Sequence, residues 1–198
     1  ESAEEVRQRF AAGMRQTTVA VKAEDYELLV HQVPGLCIHK VKAVADRDRN
    51  LVRIAVKPHA EAALPKLSED YIRQICAYLE PRRMLTTRFE LCQPKYAAVA
   101  VSASLCVRGS VEHAKKETEQ MLRETLDHVN GPENFGGVVR FNDLYQKLST
   151  LPFTVGVDSL TLIPENQNGI LDGSDIRLGD DCLCYPGSIN LMFREHGR

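Results

Sequence analysis

The chain has 198 residues, of which 43% are hydrophobic and 26% charged, and its formal net charge is −2 with a sequence pI of about 6.3. This composition indicates a globular protein of one large or two small domains, without the basic surface that drives nucleic-acid binding. No apolar run approaches the roughly 18 residues of a membrane helix, and no secretory signal is visible, so we expect no direct membrane insertion.

The first part of the chain predicts two helices and a hairpin. A Ser-x-x-Glu capping box opens a helix over residues 2–14, and acidic residues open a second helix over residues 24–32. Apolar and polar residues alternate over 36–45 and 51–57, and a polar turn joins the two runs, so we expect a β-hairpin there. Because the chain starts abruptly with Glu1 and not with Met, we expect it to be part of a longer protein.

A third helix ends at a proline that is followed by two arginines. Ser68 is placed to cap this helix, and apolar residues repeat along one of its faces up to Leu79. Pro81 cannot continue a helix, and it favours an extended conformation at Glu80. We therefore expect the helix to stop here and a strand to follow over residues 88–93.

The second half begins with a long strand and the longest helix. The strand is expected over residues 96–107, and Ser110 is placed to cap the helix that follows. Gly131 and the proline after it are expected to stop this helix. A glycine-pair turn then leads to a short helix over residues 142–149.

The end of the chain predicts strands around a long loop. A strand is expected over residues 155–163. Residues 164–181 are polar and rich in Gly and Asp, which is typical of an irregular loop. Two further strands are expected over residues 182–184 and 189–193, on either side of a Tyr-Pro-Gly turn.

One pattern occurs twice in the sequence, and it suggests two related units. The copies are Val21-Lys22-x-x-Asp25-Tyr26 with Pro34, and Val139-Arg140-x-x-Asp143-Leu144 with Pro152. Each copy predicts a short helix, a proline and an alternating strand, later followed by a second strand (51–57 and 189–193). We expect an α+β fold of two small open-faced units, residues 1–93 and 94–198, with antiparallel or mixed sheets and helices on one face.

The six cysteines predict packing positions and no disulfide framework. They are Cys37, Cys76, Cys92, Cys106, Cys182 and Cys184, and five of them lie in apolar runs. Free cysteine packs as a small hydrophobe, so we expect reduced core or strand positions. Cys182 and Cys184 share one strand face, but a zinc site needs two more ligands at suitable spacing, and none is visible.

No other motif predicts chemistry. The six histidines are scattered without His-x-x-x-His or His-Glu-x-x-His spacing. The acidic segment 172–175 does not fit a calcium loop, and the glycine-rich segment 131–137 lacks the Lys-Ser/Thr of a P-loop. The sequence therefore predicts no catalytic residue, no metal site and no cofactor.

Four segments, taken together, carry a family resemblance. They are Thr18-Val19-Ala20-Val21-Lys22-Ala23-Glu24-Asp25-Tyr26-Glu27 with Val33-Pro34-Gly35, then Leu79-Glu80-Pro81-Arg82-Arg83-Met84-Leu85-Thr86, then Pro94-Lys95-Tyr96-Ala97-Ala98-Val99-Ala100-Val101-Ser102-Ala103, and finally Phe135-Gly136-Gly137-Val138-Val139-Arg140-Phe141-Asn142-Asp143-Leu144. In this order they resemble the central and C-terminal part of the baseplate J-like proteins of contractile phage tails and related injection particles. Lys22 departs from the family pattern, which favours Thr as the helix cap.

This resemblance implies a structural protein and not an enzyme. It implies a baseplate wedge component that assembles around a six-fold axis with other wedge and tail proteins, inside a phage or phage-like particle built in the bacterial cytoplasm. Neither a nucleic-acid partner nor a cofactor is implied. We expect the basic pair Arg82 and Arg83, which follows the third helix, to lie near a subunit contact.

Two alternatives remain open on the sequence. One is a small metal-dependent or Cys/His-dependent enzyme domain that uses Cys182, Cys184 and a distant histidine. The other is an adaptor domain of a non-phage complex, since fold alone does not determine function.

Overall fold

The structure is a computed structural model that describes residues 18–195, and in it the chain divides into two compact units, Glu1–Gln93 and Pro94–Arg198. The helix expected over residues 2–14 lies outside the described residues. The described elements of the first unit are α1 (Ala23–His31), β1 (Ile38–Asp46), β2 (Leu51–Pro58), α2 (Glu69–Leu79), a 3₁₀ turn (Glu80–Arg82) and β3 (Arg88–Cys92).

The described part of the first unit, from residue 18 on, is a mixed three-stranded sheet with two helices packed on its apolar face. The strand order is β1-β2-β3, in which β1 runs antiparallel and β3 parallel to the central β2. Tyr26 and Leu29 from α1 and Ile75 and Leu79 from α2 pack with Ile54 of β2 in one buried cluster. The expected hairpin over residues 36–57 is confirmed as β1 and β2.

The two helices of the first unit begin with different capping arrangements. The Oγ atom of Ser68 accepts a hydrogen bond of 3.3 Å from the backbone N–H of Tyr71, which confirms the expected cap of α2. Lys22 occupies the cap position of α1 but its ammonium cannot accept a hydrogen bond. Asp25 compensates, because its Oδ2 atom accepts hydrogen bonds from the backbone N–H groups of Val21 and Lys22 (2.9 and 2.8 Å).

The end of α2 differs from the prediction. Glu80 was expected to be extended before Pro81, but it has helical angles (φ −53°, ψ −47°) and opens a 3₁₀ turn. Proline is tolerated in the first turn of a helix because its missing N–H is not needed there. The chain becomes extended only at Arg83, whose backbone N–H still donates to the carbonyl of Leu79 at 3.0 Å.

The second unit has more strands than the first. Its described elements are β4 (Lys95–Val107), α3 (Val111–Leu126), β5 (Val138–Val139), α4 (Phe141–Ser149), β6 (Thr154–Pro164), β7 (Gly169–Asp172), β8 (Asp175–Leu178) and β9 (Cys182–Glu195). One sheet has the order β6-β4-β9, with β6 antiparallel and β9 parallel to the central β4. A second, small antiparallel sheet has the order β5-β8-β7.

The sheet around β4 has one covered and one open face. Val101 and Leu105 of β4 are fully buried and pack with Leu122 of α3 and with Leu144 and Leu148 of α4. On the opposite face, Ser102, Thr161 and Asn190 are paired across the three strands, and all three are exposed. The predicted α+β fold with small open sheets is confirmed.

The prediction of an irregular loop over residues 164–181 is wrong, because this segment contains the hairpin of β7 and β8. The hairpin turns at Gly173, whose positive φ of 67° suits glycine, between the paired residues Asp172 and Asp175. The carboxylate of Asp175 also accepts a 2.8 Å hydrogen bond from the backbone N–H of Phe141, at the start of α4. Strands of four residues with this many polar side chains carry no clear alternation, so the sequence pattern misses them.

The two strands expected over residues 182–184 and 189–193 are one continuous strand, β9. Pro186 lies within it, and a register shift between Val99 and Val101 of β4 accommodates the extra residues of the Pro-Gly segment. A proline is compatible with this position because β9 is an edge strand. A carboxylate oxygen of Glu165 accepts a 3.0 Å bond from the backbone N–H of Ser188 and fixes the irregular segment.

Two further details of the second unit correct the predictions. The helix α3 ends at Leu126 and not at Gly131, because the carboxylate of Asp127 accepts a 3.0 Å bond from the backbone N–H of Asn130 and forms a turn. Ser110 is at the cap position of α3, but its side chain makes no capping hydrogen bond.

The internal repeat holds for the helices and fails for the second strands. Both copies form a nine-residue helix, α1 and α4, followed by an edge strand antiparallel to the centre of its sheet. The segment 189–193 was matched to β2, but it belongs to β9, which pairs with β4 and not with β6. In the second unit, β4 occupies the central sheet position that β2 has in the first unit. The chain order of the strands therefore differs between the units.

Candidate functional site

Arg82, the first residue of the predicted basic pair, is held against α2. Its guanidinium donates a 2.7 Å hydrogen bond to the carbonyl of Tyr78 and lies 3.8 Å from the centre of the Tyr78 ring. A guanidinium over an aromatic face is attracted by the ring electrons. Arg82 is half-buried and has partners within its own unit.

Arg83, the second residue of the pair, holds the chain segment that follows it. Its Nε and Nη2 atoms donate to Oε1 of Glu80 at 3.0 and 2.6 Å. Its Nη1 atom donates to the carbonyls of Met84, Leu85 and Thr87 at 3.3, 3.4 and 3.0 Å. The hydrogen bond from Arg83 holds the pKa of Glu80 below its usual value, and the same bond raises the pKa of Arg83. The Arg83 side chain therefore connects Glu80 to the backbone of the next turn and does not extend into solvent.

The segment held by Arg83 is a β-turn with an exposed leucine. The backbone N–H of Thr87 donates to the carbonyl of Met84 at 3.1 Å, which closes the turn over residues 84–87. The next N–H, of Arg88, donates to the carbonyl of Asn50 and joins the turn to the hairpin of β1 and β2. Leu85 occupies the corner of the turn, and 98% of its surface is exposed.

A bridge to an earlier segment adds more apolar surface beside this turn. Ala20 and Arg83 form an isolated parallel β-bridge, and the N–H of Ala20 donates to the carbonyl of Arg82 at 2.8 Å. Ala20 is buried, but both of its chain neighbours are exposed. We call Val19, Val21, Met84 and Leu85 the apolar patch; their exposed fractions are 49, 68, 46 and 98%.

The apolar patch was not predicted from the sequence, although the arginines that build it were. Single exposed apolar residues are common, but four of them on two segments joined by a β-bridge are typical of a protein–protein contact. The signal available in the sequence was the Met-Leu pair directly after the two arginines, which resembles the start of a strand. The expected subunit contact at Arg82 and Arg83 stays a prediction.

The two cysteines of the enzyme alternative lie in the core, whereas Cys37 does not. Cys182 and Cys184 are buried in the core of the second unit, where burial raises the pKa of their thiols to about 11 and about 12. Cys37 was expected to pack in the core, and it is exposed instead. Within residues 18–195, no three His, Cys, Asp or Glu side chains are grouped as metal ligands.

A polar groove of about 700 Å³ runs beside α4 in the second unit. Its lining includes His128, Glu133, Arg140, Asp143 and Lys147. The lining holds both acidic and basic side chains. Among the described residues, no cysteine lines the groove, so the groove does not bring Cys182 or Cys184 together with His128. No helix in the described part of the chain is long and apolar enough to cross a membrane.

The class of protein that these features define is an α+β protein of two small open-sheet units with an exposed apolar turn. No protein-family model and no curated protein match the sequence. Among solved structures, a chain in the cryo-EM structure of the six-fold symmetrised anti-feeding prophage baseplate has a similar fold, with a TM-score of 0.65 and 16% sequence identity. The match covers 97% of this chain and 42% of the baseplate chain, so the protein spans less than half the length of that neighbour.

Proposed function

We propose that this protein is a structural component of the baseplate of a phage tail or a phage-like contractile particle. The observation that carries the proposal is the similarity of fold, over 97% of the chain, to a chain of the anti-feeding prophage baseplate. The four sequence segments that resemble baseplate J-like proteins support the same assignment independently of the fold. The protein would act through protein–protein assembly and not through catalysis.

Within the particle, we assign the protein to the baseplate wedge. The neighbouring structure is described as six-fold symmetrised, and a closed ring uses the same interface repeatedly. A wedge subunit would be present at a multiple of six and would contact other wedge and tail proteins. Membership in the baseplate J-like family and localisation in the particle belong to the same proposal.

The apolar patch is the subunit contact that we propose. Arg82 and Arg83 lie at this contact as the residues that shape it, because Arg83 fixes the turn on which Leu85 is presented. Apolar side chains on a fixed turn lose little conformational entropy when a partner covers them. This gives the predicted basic pair a role through the turn and not through its own charge.

The direct test is the copy number of the protein in purified particles. Quantitative mass spectrometry of sedimented tail-like particles from the source strain should find peptides of this chain at about six or about twelve copies per particle, as a six-fold ring requires. If intact particles lack the chain while the soluble fraction is rich in it, the baseplate assignment is wrong.

The contact is tested separately, by a substitution on the patch. Leu85→Asp should abolish incorporation into particles without changing the thermal midpoint of the isolated protein, because Leu85 is 98% exposed. Ile170→Asp is the matched control, since Ile170 is an apolar residue of the second unit that is 64% exposed. Normal incorporation of the Leu85 variant would remove the patch from the proposal and leave the particle assignment standing.

A further inference from the structure

A basic cluster lies at the open end of the β1–β2 hairpin. A register shift between Ile38 and Lys40 leaves His39 as the extra residue of a β-bulge, opposite Pro58 and Lys57. Bulges turn a side chain away from the regular alternation of the strand. Here the Nδ1 atom of His39 lies 2.8 Å from the ammonium nitrogen of Lys57, and Lys57 is only 2% exposed.

This contact favours the neutral form of His39. An ammonium group has only hydrogen-bond donors, so Nδ1 must carry a lone pair and accept. A neutral imidazole with its proton on Nε2 fits this geometry. A protonated ring would carry hydrogen on both nitrogens and would turn the hydrogen bond into a contact between two cations.

Within residues 18–195, the charged and titratable groups that act on His39 are basic. They are Lys57, with which it bonds; Lys40, which is paired with Lys57 across the strands; and His59, whose ring centre is 5.9 Å away in an edge-on arrangement. Burial, followed by the charges of Lys57, Lys40 and His59, lowers the pKa of His39 below its usual 6.5. Protonation of His39 would add one more positive charge to this cluster.

We propose that the hydrogen bond between His39 and Lys57 is an acid-sensitive latch, which closes the open end of the β1–β2 hairpin while His39 is neutral and releases it when His39 is protonated. The backbone bond from the N–H of His59 to the carbonyl of Cys37, at 2.9 Å, closes the same end and would open with the latch. This inference is independent of the baseplate assignment, because it concerns the behaviour of the isolated protein.

The direction of the pH dependence follows from the lowered pKa of His39. The unfolded chain binds the proton with a pKa near 6.5, and the folded chain binds it only at lower pH. The stabilising effect of the neutral ring is therefore complete above about pH 6.5. It is lost as the pH falls from there through the folded pKa of His39.

The test combines an NMR titration with hydrogen exchange on the full chain between about pH 7.5 and pH 5, a range that brackets the usual histidine pKa. In the wild-type protein we expect the His39 ring to titrate below 6.5, and the amides of residues 37–40 and of His59 to lose protection as the pH falls. The exchange is corrected for its intrinsic pH dependence by comparison with the amides of residues 52–56 in the central strand.

Two variants distinguish the latch from a general acid effect. His39→Gln supplies an amide oxygen that accepts from Lys57 at every pH, so protection of residues 37–40 should become independent of pH. His31→Gln, at the exposed end of α1, is the matched control and should keep the pH dependence of the wild type. If His39 titrates at or above 6.5, or if the His39→Gln protein loses protection like the wild type, the latch does not exist.

Discussion

Arg83 donates a hydrogen bond of 3.0 Å from its guanidinium to the carbonyl of Thr87, four residues further along the chain. The same guanidinium bonds to Glu80 on the other side, so one side chain connects the 3₁₀ turn after α2 to the turn that carries Leu85. The shape of the apolar patch therefore depends on the side-chain contacts of Arg83, which the sequence shows only as part of a basic pair.

We expect Arg83→Lys to loosen this turn although the charge is conserved. A lysine has one nitrogen in place of three and cannot bond to Glu80 and to the turn carbonyls together. Hydrogen exchange at the amide of Thr87 should become severalfold faster, and the thermal midpoint should fall slightly. Arg73→Lys is the control, because Arg73 makes only an exposed ion pair with Asp70. Unchanged exchange at Thr87 in the Arg83 variant would show that the backbone alone holds the turn.

Two leucines six positions apart should differ strongly in how much the same substitution destabilises the protein. Leu79 is fully buried between α2 and the sheet, and Leu85 is 98% exposed. Leu79→Ala should lower the free energy of unfolding by about 2–5 kcal/mol, since it leaves a cavity in the core. Leu85→Ala should change it by less than about 0.5 kcal/mol. Urea unfolding of both variants measures the difference, and a large loss for Leu85→Ala would mean that its side chain packs in solution.

The two serine caps predicted from the sequence should also differ. Ser68 accepts a hydrogen bond from the N–H of Tyr71, whereas the side chain of Ser110 makes no capping bond although it holds the same position. Ser68→Ala should lower the free energy of unfolding by about 1 kcal/mol. Ser110→Ala should cost clearly less, and equal losses in urea unfolding would mean that both hydroxyl groups cap their helices in solution.

The elements that the sequence predicted well are those with long periodic patterns. The α2 face that ends at Leu79 and the alternation of β4 are set by burial on one side, so local sequence and tertiary packing agree. The fold class follows from such elements, because short strands interspersed with helices favour small mixed sheets.

The elements that the sequence missed depend on contacts made far along the chain. The hairpin of β7 and β8 is held by pairing with β5 and by the bond from Asp175 to the start of α4. The strand β9 continues through Pro186 because it pairs along the length of β4. Neither partner is visible in a local window, and Gly, Asp and Pro in that window favour a turn.

The candidate site was predicted only in part, for a similar reason. The two arginines lie next to the contact that we propose, but their pattern in the sequence suggests solvent-exposed charges. In the structure, the guanidinium of Arg83 bonds to backbone carbonyls, and that of Arg82 lies over the Tyr78 ring. The exposed side chain at this place is that of Leu85. The arginines are bonded and the leucine is exposed because of particular side-chain contacts. Such contacts leave no periodic pattern in the sequence.

The cysteines provide the last prediction, because their thiols differ sharply in burial. The thiolate is the form that reacts with iodoacetamide. Cys182 and Cys184 are buried, and the pKa of their thiols is raised from 9.0 to about 11 and about 12. At a pH near 8, both should therefore stay unmodified in the folded protein, while the exposed Cys37 reacts.

Peptide mapping by mass spectrometry after a short treatment measures this difference. The same treatment in guanidinium chloride is the control, and there all three thiols should react at similar rates because unfolding removes their burial. Modification of Cys184 at the rate of Cys37 in the folded state would contradict the position of β9 in the core. It would also restore the Cys182–Cys184 pair as a candidate for chemistry, since an accessible thiolate is what a metal or a nucleophilic mechanism requires.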